Sequence, residues 1–79
     1  MNMTKAIAKK IMVINDKETG SFIKERRRAL GISQTDLAKK LHVSQAEVSN
    51  VERGSRKPLS IWEYSQALAM KPGALIVGR

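Results

Sequence analysis

The chain of 79 residues has no cysteine and a single histidine. That excludes a disulfide framework and a thiolate metal site, and His42 alone makes neither a ligand set nor a catalytic pair. Two prolines and five scattered glycines supply punctuation but no phosphate-cradling loop and no low-complexity linker. No apolar run approaches the roughly 20 residues of a membrane span. Residues 1–13 place lysines before a short apolar stretch, as a weak signal peptide does. Lys9 and Lys10 interrupt it, however, and no small-residue cleavage site follows. Acids are scarce, seven against 15 lysines and arginines, for a net charge of +8. Such a surplus favours polyanionic partners. An apolar share of 42% is ordinary for a folded protein and argues against disorder. The expectation is one domain with a modest core, no catalysis, no metal or other cofactor, and a reducing cytoplasmic setting.

What the chain does have is a set of helix starts. Asn15-Asp16-Lys17-Glu18, Ser33-Gln34-Thr35-Asp36, Ser44-Gln45-Ala46-Glu47 and Ser60-Ile61-Trp62-Glu63 each set a capping residue three positions before an acid. In a capping box the first side chain takes an orphan backbone N–H and the acid bonds back. The box at Ser33 is the imperfect one, because Asp replaces Glu or Gln. Helices are predicted from Asn15 to Leu30, with Gly31 as the C-terminal cap, from Gln34 to Leu41, from Gln45 to about Gly54, and from Ser60 to about Ala69. Pro72 opens a last short helix through Leu75, Ile76 and Val77. Residues 1–14 stay open. Met3, Ile7, Ile11 and Ile14 recur at helical spacing, whereas Ile11-Met12-Val13-Ile14 is also a β-branched run that suits a strand or an extended arm.

Two short helices across the tight turn at His42-Val43 form the core of a helix-turn-helix, and on a strongly basic domain that points to DNA. At about 100° per residue, Gln45, Ala46, Ser49, Asn50 and Arg53 share one face of the second of these helices, while Val48 and Val51 share the other. The first face is small and polar. Gln and Asn can bond adenine N6 and N7, and an Ala methyl can touch a thymine methyl. Gln45, Ala46, Ser49 and Asn50 are therefore the candidate base readers. Glu47 flanks the face; capping is its expected role, with cytosine N4 as the alternative. Arg53, Arg56 and Lys57 are candidate phosphate contacts, which position without reading sequence. The Arg26-Arg27-Arg28 run cannot form one patch, since successive helical residues point in different directions.

The run from Ile23 to Ala38, followed by Val43-Ser44-Gln45, Val48-Ser49, Glu52-Arg53-Gly54 and Leu68, resembles the lambda-repressor/Cro-like helix-turn-helix family, also called the xenobiotic-response-element type. The resemblance covers about residues 16–77. It implies a compact five-helix domain that binds DNA, usually as a twofold dimer, in the docking geometry of the lambda and 434 repressors. It also implies that Gln34, at a helix N-terminus, holds a backbone phosphate, and that Arg27 pairs with Glu52 as a structural link. The remaining arginines of the run are expected in solvent, with phosphate contact as the alternative. The chain departs from the family pattern at His42, where Gly is frequent and a left-handed turn must be tolerated, at Arg26, where an apolar residue is common, and at Ala69, where Gly often ends the helix.

The combined expectation is an all-α, lambda-repressor-like fold with residues 1–14 as an N-terminal extension and 15–79 as the DNA-binding domain. The function expected is a transcriptional regulator, a repressor on an inverted-repeat operator. Leu75, Ile76 and Val77 are the expected homodimer interface, with Ile7, Ile11 and Ile14 as possible additions. The alternatives are an antitoxin with a toxin as protein partner, a restriction–modification controller protein, and a protein-interaction adaptor that no longer reads DNA.

Overall fold

The capping residues predicted from the sequence all act as caps in the computed structural model, which describes residues 3–12 and 15–69. The Asn15 side chain accepts from the Glu18 N–H at 2.9 Å and opens α2 (Asp16–Ala29). Ser33, Ser44 and Ser60 do the same for α3 (Gln34–Leu41), α4 (Gln45–Glu52) and α5 (Ile61–Leu68). The return bond from acid to cap backbone, however, closes only at Ser33, where Ser33 N–H donates to Asp36 Oδ2 at 3.1 Å. Asp is the shorter acid, yet it is the one that completes the box.

Residues 3–12, open between helix, strand and arm in the sequence, form a helix, α1 (Met3–Met12). Ile7, Ala8 and Ile11 make one buried stripe on it, with Lys5, Lys9 and Lys10 outside. That stripe packs on α5, whose Tyr64 and Leu68 are buried in the same core. Ile7 and Ile11 are 4% and 3% exposed, so the suggestion that they add to an interface is corrected: α5 has already covered them. Thr19 of α2 donates to the Ile11 carbonyl at 3.3 Å and satisfies part of the α1 terminus. The Lys10 ammonium stands 5.2 Å from the Phe22 ring centre, a cation–π contact that ties the exposed side of α1 to α2.

Ile23, Leu30, Leu37, Val48, Val51, Tyr64 and Leu68 form the centre of the core. The expected turn between α3 and α4 is there, with His42 left-handed at φ 58°. Arg26 is a second correction. Its Nε donates to the Leu68 carbonyl at 2.6 Å, so the side chain closes the end of α5 rather than standing in solvent. The expected helix after Pro72, and with it Leu75, Ile76 and Val77, lies outside the described residues, as does Ile14.

Candidate nucleic-acid interface

α4 is a helix of eight residues, too short to hold its shape without packing. Its inner half is built from Glu47, Val48, Val51 and Glu52, all buried. Two contacts press it against α2. Gly20 lies so close that a Cβ there would stand 2.2 Å from the Val51 carbonyl oxygen. Just beyond α4, Gly54 (φ 80°) would bring a Cβ to 2.8 Å from the Lys17 Cα. At both places only glycine lets the two backbones approach this far.

Arg27 locks the same seam. Its Nε donates to Glu52 Oε2 at 2.6 Å and its Nη2 to Oε1 at 3.1 Å, while Nη1 donates to the Ile32 carbonyl at 2.8 Å. Both side chains are deeply buried. The two-pronged geometry offsets the cost of taking both charges out of water. Gln34 Nε2 donates to Glu52 Oε1 at 3.0 Å, and Gln34 Oε1 accepts from Gln45 Nε2 at 2.6 Å. A continuous polar chain thus runs from Arg27 through Glu52 and Gln34 to Gln45. Because one end is a buried ion pair, the amide at the other end is held in a defined orientation before any partner arrives.

The outer half of α4 carries Gln45 and Ala46, both exposed, and Ser49 and Asn50, both half-buried. Arg53, exposed, folds back over them. Its Nη1 donates to Ser49 Oγ at 2.6 Å and its Nη2 to Asn50 Oδ1. The side-chain oxygen of Asn50 is therefore engaged within the protein. The face is polar, compact and free of acid, since Glu47 and Glu52 are 6% and 7% exposed on the opposite side.

Glu47 overturns both sequence readings. Its backbone N–H is capped by Ser44, but its carboxylate neither bonds back to the cap nor joins the outer face. Oε1 accepts from Arg56 Nη1 at 2.6 Å, and Oε2 is buried with no partner among the described residues. The clue was present in the periodicity: at about 100° per residue, Glu47 lies about 40° from Val51, on the packed side. Arg56 is anchored at one edge only and stays half in water, and Lys57 beside it is exposed. Gln34 stands at the first position of α3, whose cap acid Asp36 has its carboxyl held below the usual range, mainly by the Ser33 backbone N–H.

Among the described residues no group of His, Cys, Asp and Glu could hold a metal ion, and no helix is long and apolar enough to cross a membrane. Residues 23–61, from the middle of α2 to the start of α5, match the family described as Helix-turn-helix. No curated protein and no solved structure matches the chain.

Proposed function

The chain belongs, through residues 23–61, to the lambda-repressor/Cro-like helix-turn-helix family of DNA-binding transcriptional regulators, and from that premise we propose that it is a repressor which binds an inverted-repeat operator as a homodimer. One observation carries the reading of DNA to particular residues. The outer face of α4 presents Gln45, Ala46, Ser49 and Asn50 while both acids of that helix are buried in ion pairs behind it. A helix entering a major groove passes between phosphates, so an acid on its leading face would be repelled. Here every exposed α4 side chain is neutral, and the basic residues Arg53, Arg56 and Lys57 follow directly.

In this reading Gln45 and Asn50 bond adenine edges, Ala46 meets a thymine methyl, and Ser49 completes the contact. Gln34 and the open N–H groups at the start of α3 take a backbone phosphate. Arg53, Arg56 and Lys57 hold the strand beyond. The polar chain from Arg27 to Gln45 supports the assignment, because an amide oriented in advance loses less freedom on binding. The dimer is proposed through Leu75, Ile76 and Val77. A twofold axis would set two α4 helices about 34 Å apart, one turn of DNA. Leu59, just before α5, and Trp62, in its first turn, are 69% and 46% exposed and give further apolar surface for a second copy to cover. Occupying an operator in this way occludes a promoter.

The test begins with selection of an operator from a random duplex pool, followed by titrations on that operator and on a scrambled duplex. Gln45→Ala and Asn50→Ala should each cost about 1–3 kcal/mol on the operator and much less on the scrambled duplex. Equal losses on both would remove them as readers. Ile76→Glu, checked for folding by circular dichroism, should sediment as a monomer and bind the operator more weakly. If that variant stays dimeric, the interface lies elsewhere.

A further inference from the structure

We propose that Glu47 is a positioning residue for DNA binding: it holds Arg56 at a fixed angle beside α4 so that the free edge of the guanidinium meets a backbone phosphate. The inference rests on the DNA-binding reading above and assigns a role to a buried carboxylate which that reading leaves unused.

The two buried acids of α4 are satisfied very differently. Glu52 has both oxygens engaged, by Arg27 Nε and Nη2 and by Gln34. Such a carboxylate is complete within the protein. Glu47 is as deeply buried, 6% exposed against 7%, yet Oε1 alone has a partner and Oε2 has none among the described residues. A buried carboxylate left half satisfied is costly, and an apolar side chain would fit the packed side of α4 at less cost. What the acid provides is a grip on one nitrogen, Arg56 Nη1, at 2.6 Å. The guanidinium has further donors on Nε and Nη2, in the planar fork that suits a phosphate. The Arg56 side chain is 56% exposed, so it can meet a partner without leaving Glu47. A long, flexible arginine on a loop would otherwise have to be ordered at the moment of binding. The anchor does that beforehand, and it does so from the recognition helix itself, so the phosphate contact and the base-reading face keep one register.

Glu47→Leu and Glu47→Gln test this, because each removes a negative charge and raises the net charge by one. If the acid acts only through its field, both variants bind DNA more tightly. Positioning predicts the opposite sign. Both should bind the operator more weakly than the wild type, by about eightfold at about 0.1 M salt for the loss of one counterion-releasing contact. The slope of log K against log salt should flatten by about 0.9. Arg56→Ala should show the same loss and the same flattening, and Glu47→Leu/Arg56→Ala should be no worse than either single variant. Circular dichroism melts confirm that each variant is folded, with Glu47→Gln, which keeps the shape, guarding against a packing failure in Glu47→Leu. A folded Glu47→Leu that binds as tightly as the wild type with an unchanged slope overturns the positioning role and leaves the DNA reading standing. A wild type that binds neither operator nor scrambled duplex overturns both.

Discussion

Two arginine–glutamate pairs flank α4, alike in their acids and different in their bases. Arg27–Glu52 and Arg56–Glu47 both close at 2.6 Å, and in both the acid is on α4 and almost fully buried. The difference lies in the base. The Arg27 side chain is 10% exposed and binds with two edges of its fork and a carbonyl besides, whereas the Arg56 side chain is 56% exposed and gives one nitrogen. A guanidinium that has lost its water depends on its partner, and the pair acts as a strut between helices. One that has kept its water can afford to lose the partner and can serve a second ligand. The same two residue types thus make a structural joint on one side of α4 and an outward-facing arm on the other.

The contrast can be broken with one substitution made twice. Glu52→Gln should destabilise the domain by about 3–5 kcal/mol, because it leaves Arg27 buried and uncompensated. Glu47→Gln should cost within about 1 kcal/mol, since Arg56 returns to solvent. Urea melts of the two variants compare them directly, and equal losses would erase the distinction.

Tyr64 reports on both acids. Its hydroxyl is buried without a partner among the described residues, and its pKa is pushed up to about 12, first by burial, then by the negative charge of Glu47, then by that of Glu52. The raised value fixes the sign. The neutral phenol favours the folded state fully below the ordinary value of 10.0, and that contribution is lost as pH rises through about 12. An ultraviolet titration should therefore show Glu47→Gln lowering the phenol midpoint more than Glu52→Gln does. Tyr64→Phe should remove this alkaline loss without destabilising the protein near neutrality, because no hydrogen bond is given up. A larger shift from Glu52→Gln would mean that Glu47 is the better screened of the two.

The smallest effect belongs to an acid with no burial at all. Asp36 is exposed, and its carboxyl is held below the usual 3.8 by the backbone N–H and hydroxyl of Ser33. Its contribution is present above that value and fades as pH falls through the lowered one. Acid melts of Asp36→Asn against the wild type should converge below the ordinary carboxylate range and separate only slightly above it. A gap that widens toward low pH would contradict the cap.

Much of this architecture is legible in the sequence alone. Asn15, Ser33, Ser44 and Ser60 announce helix starts because a cap needs only its own residue and the next three. The opposite faces of α4 follow from periodicity, and the resemblance to a known family drew Arg27 to Glu52. Other features stayed hidden. Met3–Met12 carries signals for helix and strand together, and its state depends on whether another surface receives the stripe of Ile7 and Ile11; α5 does. In the sequence Arg26 is one member of a charge run, with nothing to show that the end of α5 lies within reach of its Nε. Glu47 had a sufficient local explanation in the capping box, which concealed its bond to Arg56.

The division follows the range of the forces. Caps, turns and amphipathic faces depend on neighbours along the chain, so the helix starts, the helix-turn-helix and the basic, cysteine-free character can be read from residues in order. The destination of a long charged side chain depends on which carbonyl or carboxylate a crossing helix brings within about 3 Å. That is set by packing, here by how closely Gly20 lets α2 approach α4. Which arginine becomes a strut and which faces outward was decided there, because burial, absent from a linear string, determines whether a charge needs its partner.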